Sequence, residues 1–186
     1  MRLETERLRL RTWREGDRDA FASLHADPEV MVDALAPLDR RESDAKLDRY
    51  TSSWAEAGYG RWCVETPDGD FLGYVGVMPS PRGHPLGPHA EIGWRLARPA
   101  WGHGYATEAA RASLDDVFTR CGLAEVLAYT APDNARSQAV MTRLGLRRDP
   151  ARDHSLQYGP GIWHGLTWVA TSPAAGAPGH GESRTE

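Results

Sequence analysis

The 186-residue sequence has no uninterrupted apolar run that approaches the roughly 20 residues needed to cross a bilayer. Its first seven residues are mostly charged and contain no apolar core, so we expect no secretory signal. Only two cysteines are present, Cys63 and Cys121, and there is no CxxC pair, HExxH motif or Cys/His cluster. We therefore expect two structural thiols, no metal site and a cytoplasmic location.

Positive charge is also not in excess, because 22 basic residues face 26 acidic ones and the formal net charge is −4 at pH 7. Such a chain as a whole has no electrostatic attraction for nucleic acid or for an anionic membrane. We therefore expect neither as a partner. Hydrophobic residues make up 40% of the chain and charged residues 26%, which is the balance of an ordinary globular domain.

The hydrophobic pattern predicts an α/β domain. Strands are predicted where apolar residues alternate with polar ones or form short runs, over 6–11, 61–66, 71–78, 90–96, 125–130 and, after residue 146, most strongly 162–169. Helices are predicted where apolar residues recur every three to four positions, over 16–27, 40–57, 105–121 and a last segment that is capped by Asp133 or Asn134 and ends before Gly145. This order mixes antiparallel hairpins with a parallel crossover.

The chain is predicted to form one folded domain over residues 1–170. The remaining residues, 171–186, are rich in proline, glycine and alanine. This composition cannot bury enough apolar surface to offset the cost of ordering, so we expect a flexible tail.

A turn between the strand at 90–96 and the helix at 105–121 carries the clearest chemical signal. Gly102 and Gly104 let the backbone approach a ligand closely, and the helix N-terminus that follows offers free N–H groups and a positive dipole end. His103 and the Thr107 hydroxyl can add donors. The turn is therefore suited to phosphate. Gly93, inside the preceding strand, indicates a bulge or a close approach of another group.

Three nucleotide-binding turns compete for this segment. A Walker loop requires GxxxxGK[ST], which is absent. A dinucleotide fingerprint requires a third glycine where Thr107 stands, and an acid at the end of the next strand, where Tyr129 and Thr130 stand. The third is the pyrophosphate loop of acyl-coenzyme A enzymes, Q/R-x-x-G-x-G/A, which Gly102 and Gly104 match, although Pro99 replaces its first residue.

Segments 91–94, 101–109, 134–137 and 144–146, taken in order, resemble the GNAT acetyltransferase superfamily, and most of all its ribosomal-protein N-terminal alanine acetyltransferases. The similarity covers about residues 3–169. It implies an α/β (α+β mixed) GNAT-like acyl-CoA N-acyltransferase fold, with a central, mostly antiparallel twisted sheet flanked by about four helices. It also implies transfer of an acetyl group from acetyl-CoA, as co-substrate, to a primary amine.

The resemblance implies roles for individual residues in cofactor binding. The backbone of Trp94, Arg95 and Leu96 would pair with the pantetheine arm of acetyl-CoA. Asn134 would bind near the thioester, and Ser137 would lie near its sulfur. The pyrophosphate would be held by the turn that consists of Gly102, His103, Gly104, Tyr105, Ala106 and Thr107. Met141 stands where many relatives place a tyrosine as general acid.

Two residues are candidates for catalysis, Ser137 as donor to the leaving sulfur and Glu91 as general base, directly or through water. The alternative for Ser137 is a hydrogen bond to the carbonyl four residues earlier, and the alternative for Glu91 is a salt bridge on the strand. Asp153 and His154 are alternative bases. Asn134 also fits a plain helix cap.

Two functions remain open at this stage. The first is an N-acetyltransferase that works by direct transfer in a ternary complex, because neither cysteine lies near these motifs. Its acceptor would be a protein N-terminal α-amine, a peptide or a small-molecule amine. The second is a non-catalytic acyl-CoA-binding sensor or interaction module. The sequence leaves a homodimer open.

Overall fold

In a computed structural model of the chain, residues 1–32, 36–158 and 161–173 can be described. These residues form nine strands: β1 (Arg2–Glu4), β2 (Arg9–Arg11), β3 (Arg61–Glu65), β4 (Phe71–Pro79), β5 (Ala90–Leu96), β6 (Glu125–Thr130), β7 (Arg147–Arg148), β8 (His154–Tyr158) and β9 (Gly161–Thr171). They also form four α-helices: α1 (Arg18–Ala26), α2 (Arg40–Glu56), α3 (Tyr105–Thr119) and α4 (Ala135–Arg143). None of these helices is long and apolar enough to cross a membrane.

The strands form a mixed sheet in the order β1-β2-β3-β4-β5-β6-β9-β7, with β8 paired to β9 off this path. Adjacent strands are antiparallel except β5 and β6, which are parallel and are joined through α3. A parallel pair needs such a crossover, because the chain must return to the same edge of the sheet. The predicted fold, a mostly antiparallel sheet with four helices, is confirmed.

The sheet separates two hydrophobic cores because alternate residues of a strand point to opposite faces. On one face Trp62, Val64 and Val75 pack with α3 and α4. On the other face Cys63 and Tyr74 pack against α1 and α2. The central strand β3 is therefore buried along its whole length, which explains why its apolar residues form a run rather than an alternation.

The strand predicted over residues 6–11 is shorter than expected, since only Arg9–Arg11 is extended and a separate strand precedes it. A turn joins the two strands, in which the Thr5 amide donates to the Leu8 carbonyl at 2.9 Å. The Thr5 hydroxyl also donates to Glu108 of α3 at 2.6 Å. Contacts with a distant helix therefore turn the chain where alternation alone predicts a continuous strand.

The predicted domain boundary after residue 170 falls inside ordered structure. Strand β9 includes Thr171, which pairs with Glu125, and the Ser172 amide donates to the Ala124 carbonyl at 2.9 Å. The rest of the predicted tail, residues 174–186, lies outside the described residues.

The second core contains a histidine that stays neutral. His25 is fully buried, its Nδ1–H donates to the Phe21 carbonyl at 2.9 Å, and its ring lies against Tyr74. Burial and the positive charge of Lys46 lower the pKa of His25 to about 3. In an unfolded chain an imidazole titrates near ~6.5.

This difference predicts a pH-dependent stability. As the pH falls below 6.5, the unfolded chain takes up a proton that the folded chain excludes, so the free energy of unfolding decreases towards pH 3. Between pH 7.5 and pH 5, His25 should cost about 2 kcal/mol of stability. Urea unfolding at both pH values measures the decrease in the free energy of unfolding. In the wild type this decrease should include the contribution of His25, and in His25→Gln it should be smaller by about 2 kcal/mol. The exposed residue His164 provides the control His164→Gln, and equal losses in all three proteins would contradict the assignment.

Candidate acyl-CoA cleft

Residues 101–107 form a glycine turn that connects β5 to α3 through one short 3₁₀ turn (Arg98–Ala100). Gly102 and Gly104 both have φ of +79°, a left-handed conformation that side chains with a Cβ rarely adopt. Gly104 is the N-cap of α3, and no side chain caps the helix there. The first N–H groups of α3 therefore have no acceptor within the helix.

Thr107 adds an unpaired hydroxyl to this turn. Its Oγ1 atom is buried and has no hydrogen-bond partner among the described residues. A buried hydroxyl without a partner is unfavourable unless a ligand or water supplies one. Together with the free N–H groups and the positive end of the α3 dipole, it forms a site suited to phosphate oxygens.

Arg7, from the segment between β1 and β2, fixes the turn from the outside. Its guanidinium donates to the His103 carbonyl at 2.9 Å and to Glu108 Oε2 at 2.8 Å, and it lies over the Tyr105 ring. Burial alone would raise the pKa of Glu108, but hydrogen bonds from Thr5 and Arg7 hold it below its ordinary value. Glu108 therefore stays charged and holds the N-terminal segment beside the turn.

The N-terminus of α4 forms the opposite wall. Asn134 caps this helix, and its Oδ1 accepts the Ser137 amide at 3.1 Å, so the cap expected as an alternative role for Asn134 is present. In the part of the chain that can be described, no acceptor binds the Ser137 hydroxyl, whereas the Thr142 hydroxyl donates to the carbonyl four residues before it. Met141 is 2% exposed and packs in the first core, away from the cleft.

These elements enclose a cleft of about 1140 Å³. The two helix N-termini meet here because β5 and β6 are parallel, so the segments that follow them leave the same edge of the sheet. All eleven residues predicted to bind the cofactor line this cleft: Trp94, Arg95, Leu96, Gly102, His103, Gly104, Tyr105, Ala106, Thr107, Asn134 and Ser137.

Glu91 does not line the cleft. It lies on the other face of β5, where its carboxylate forms an ion pair with the buried guanidinium of Arg61 and interacts with the Tyr129 hydroxyl. Burial, followed by the charge and hydrogen bond of Glu91, raises the pKa of Tyr129. The salt bridge considered as the alternative role of Glu91 is therefore present. An amine that bound to the Glu91 carboxylate would have to share this carboxylate with Arg61 and Tyr129.

Gly93 marks a close approach, and the bulge considered at this position is absent. The register between β4 and β5 runs without interruption from Gly73–Leu96 to Pro79–Ala90. A Cβ on Gly93 would lie 2.8 Å from Arg61 Nη2, so the glycine makes room for the guanidinium. Among the described residues β5 and β6 pair only at Glu91–Leu127, so the later residues of β5 have no strand pairing on the β6 side. The Leu96 carbonyl there accepts the Trp101 indole N–H at 2.8 Å.

The alternative bases differ in their surroundings. Asp153 forms an ion pair with Arg148 and accepts the Thr167 amide at 2.9 Å, and the Arg148 hydrogen bond lowers the pKa of Asp153. It is therefore a poor proton acceptor at neutral pH. His154 instead lies in a group of aromatic rings on the Glu91 face.

Several cleft residues were not predicted from the sequence. Arg7 and Val30 come from segments far from the glycine turn, and the Arg136 guanidinium lies 4.0 Å from the Trp101 ring centre at the cleft wall. An arginine at position 7 carries no local signal of this role. Pro99 stands where the pyrophosphate-loop pattern has Gln or Arg, and this replacement could have indicated that a basic residue from another segment lies beside the turn.

Neither thiol belongs to the cleft. Cys63 is buried, and burial raises its pKa to about 12, so it carries no thiolate at neutral pH. Cys121 is a free thiol after α3, and burial also raises its pKa. Within residues 1–32, 36–158 and 161–173, no group of three His, Cys, Asp or Glu side chains is arranged to hold a metal ion.

Comparison with known proteins agrees with this geometry. Residues 7–147 match the family model described as "Acetyltransferase (GNAT) domain". The chain is 35% identical over 152 residues to the uncharacterized protein YkkB of Bacillus subtilis (strain 168), with coverage of 78% of this chain and 84% of YkkB. It is 33% identical over 151 residues to FsC-acetyl coenzyme A-N(2)-transacetylase of Aspergillus fumigatus, with coverage of 77% of this chain and 64% of that protein.

Solved structures show the same fold. The acetyltransferase from Agrobacterium tumefaciens str. C58 matches with a TM-score of 0.79 and 29% identity, over 91% of this chain and 94% of that one. Structures described as ribosomal-protein acetyltransferases, such as the ribosomal-protein-S5-alanine acetyltransferase from Vibrio fischeri, share the fold at 16% identity and a TM-score of 0.74.

Proposed function

Because the chain belongs to the GNAT acetyltransferase family, we propose that it transfers the acetyl group of acetyl-CoA directly to a primary amine in a ternary complex. The resemblance to this family is confirmed by the family model. Solved ribosomal-protein acetyltransferases share the fold, and the closer resemblance to that branch stays a prediction. The chain is an acetyl-CoA-dependent acetyltransferase. The amine, a protein N-terminus or a small molecule, and the cytoplasmic location form part of the proposal.

The observation that carries the proposal is the convergence of the glycine turn, the open edge of β5 and the Ser137 hydroxyl on one cleft. The turn would hold the pyrophosphate with the N–H groups of α3 and the Thr107 hydroxyl. The pantetheine arm contains amide groups, which can pair with the backbone of residues 94–96 where β6 has diverged. Asn134 and Ser137 would then face the thioester end.

The chemistry requires few groups from the protein. An α-amine with a pKa of ~7.8 is unprotonated in about one molecule in seven at pH 7, so it attacks the acetyl carbon with little help from a base. The C–N bond forms, the C–S bond breaks, the attacking nitrogen loses one proton, and the leaving thiolate accepts one. Because the thiol pKa is near ~8.5, the thiolate is a modest leaving group, and a hydrogen bond from the Ser137 hydroxyl, which can relay the proton released by nitrogen, would assist its departure. An N–H freed on β5 would stabilise the oxyanion.

Direct transfer is favoured over an acyl-cysteine intermediate. Cys63 is buried on the opposite face of the sheet, and its thiol is protonated at neutral pH. Neither thiol lines the cleft where the thioester would lie. The enzyme would therefore hold both substrates at once, and positioning of the amine would supply much of the rate acceleration.

A screen of amines tests the proposal. Thiol release from acetyl-CoA should increase with one class among peptides with N-terminal Ala or Ser, polyamines and aminoglycosides. The alternative considered from the sequence, a non-catalytic acyl-CoA sensor, rested on Met141 at the place of the usual tyrosine acid, and the same screen tests it. Tight acetyl-CoA binding without amine-stimulated thiol release from any class would favour the sensor.

The glycine turn gives a binding prediction. In Gly104→Ala, the new Cβ would stand 3.5 Å from Arg7 Nη2 on a residue with φ of +79°, so the turn would have to leave the left-handed conformation that shapes the phosphate site. The affinity for coenzyme A should fall by about tenfold or more, which corresponds to ~1.4 kcal/mol. Calorimetric titration measures this. Gly58→Ala is the matched control, since Gly58 has φ of +76° and open space around it at the end of α2. Equal affinities in both variants would contradict the assignment.

Ser137 gives a catalytic prediction. If its hydroxyl donates to the departing sulfur, Ser137→Ala should lower kcat by about 10²-fold and leave coenzyme A affinity nearly unchanged. The defect should shrink with a thioester of a more acidic thiol, whose thiolate leaves without a proton. Thr142→Ala, on the same helix, removes a hydroxyl already bonded to the Gln138 carbonyl and should retain kcat. Full kcat in Ser137→Ala would leave protonation of the thiolate to water.

A further inference from the structure

A second cavity lies at the β1 edge of the sheet. It has a volume of about 290 Å³ and is lined by residues of β1, β2 and β3 and of the segment that follows β2. None of its described lining residues also lines the acyl-CoA cleft. We name it the arginine cavity, because its lining includes four arginines and a single acid: Arg2, Arg9, Arg11, Arg14 and Glu65.

Strand pairing brings three of these arginines to one face of the sheet. Arg9 and Arg11 are two positions apart on β2, so their side chains point to the same face. Arg2 on β1 is the direct cross-strand partner of Arg11. Like charges that stand directly opposite each other on antiparallel strands are destabilising. The cavity therefore needs negative charge to compensate this pair.

Two buried carboxylates compensate the charge of Arg11. Both of its terminal nitrogens donate to Asp17 at 2.7 Å, and its Nε–H donates to Glu65 at 2.8 Å. Glu65 also lies 3.4 Å from Arg9 Nη1. These contacts form a fixed floor of the cavity, and both acids are already engaged in it.

The other three arginines keep donors that the nearby acids do not satisfy. The Arg14 guanidinium forms no ion pair with any residue that the structure describes, and it acts on Asp17 only through its charge. Arg2 contacts Glu4 at 3.5 Å, but both side chains are largely exposed, and such pairs contribute little. The Nε atom of Arg9 is buried without a hydrogen-bond partner among the described residues, and Glu4 lies 4.0 Å away from it.

These donors indicate an anion with several oxygen atoms. A buried N–H group without an acceptor is unfavourable, and an anion would supply the acceptor. The hydroxyl of Thr12, which also lines the cavity, has no partner in the described part of the chain and adds a further donor. Guanidinium groups match the geometry of phosphate oxygens. A phosphate group offers three acceptor oxygens and nearly two negative charges at neutral pH, more than one carboxylate supplies.

The size of the cavity restricts the ligand further. Sites for small molecules and cofactors usually have volumes of ~300–1,000 Å³. The arginine cavity, at about 290 Å³, lies at the lower end of this range. It therefore suits a small anion rather than a nucleotide.

We propose that the arginine cavity binds the phosphate group of a small anion, with Arg2, Arg9 and Arg14 as the charged donors. Glu65 and Asp17 act as positioning residues, because they hold Arg11 in the floor. This site is independent of the acetyltransferase function, since it shares no lining residue with the cleft among those described.

A bound phosphate group would stabilise the hairpin that lies beside the glycine turn. Strand β1 pairs with β2 over three residues only, and the turn between them carries Thr5 and Arg7. These two residues bind Glu108 and the His103 carbonyl. An anion held by both β1 and β2 would compensate the opposed arginines and hold the two strands together.

NMR titration of the backbone amides with sodium phosphate at pH 7.5 tests the proposal, with sodium chloride keeping the ionic strength constant. Signals of residues 9–14 should shift and saturate, whereas those of residues 102–107 report the glycine turn separately. In Arg14→Gln the affinity at residues 9–14 should fall by about tenfold or more, because a charged donor is lost. Arg82→Gln, an exposed arginine of the loop between β4 and β5, is the matched control and should retain the wild-type affinity.

Three results would overturn the proposal. They are shifts limited to residues 102–107, shifts at residues 9–14 that sodium chloride reproduces, and equal affinities in Arg14→Gln and Arg82→Gln. Melting temperatures show whether each variant folds. If Arg14→Gln does not fold, Arg2→Gln, at an exposed position, replaces it with the same expected loss.

Further ligands identify the kind of anion. Glycerol 3-phosphate that binds more tightly than inorganic phosphate would assign the cavity to a phosphate monoester, and equal or weaker binding would assign it to the free ion. Succinate, a dianion without phosphate, should bind at least about tenfold more weakly than the better of the two. Succinate affinity equal to that of both phosphates would show a general attraction for anions and would overturn the assignment.

Discussion

The divergence of β5 and β6 after a single parallel pair is the constraint on which the rest of the structure depends. Inside a sheet, a strand that loses its neighbour leaves backbone N–H and C=O groups without partners, and such groups are costly when buried. Here β5 pairs with β6 only at Glu91–Leu127, and its later residues, 94–96, line the cleft. The same parallel pair makes the segments after β5 and β6 leave one edge, so the N-termini of α3 and α4 meet beside the opening.

The sheet divides the chemistry between its two faces. On the α3 and α4 face lie the glycine turn and the Ser137 hydroxyl, where the proposed function places the thioester. On the other face a buried arginine, Arg61, reaches under Gly93 to pair with Glu91, and a group of histidine rings lies around Tyr129.

Much of the fold and of the cofactor side follows from local sequence. Apolar periodicity places α2, α3 and β6 almost to the residue, because each buries a continuous stripe or run. Gly102 and Gly104 indicate a phosphate turn because a left-handed backbone requires glycine and a helix N-terminus supplies donors. Strand β2 was mispredicted because Thr5 bonds to Glu108, a hundred residues away.

The sequence by itself determined most of the elements, the family and eleven of the residues that line the cleft, since these depend on short-range pattern and on motifs with fixed spacing. Only the tertiary structure decided which charges are paired and which polar atoms remain free. Glu91 is a candidate base in the sequence, but Arg61 joins it across the sheet. His84, His89 and His154 carry no motif and meet only because the loop after β4 folds beside β8. Contacts between residues that are distant in the chain depend on how the elements pack together. Such packing leaves no periodic pattern in the sequence from which these contacts could be predicted.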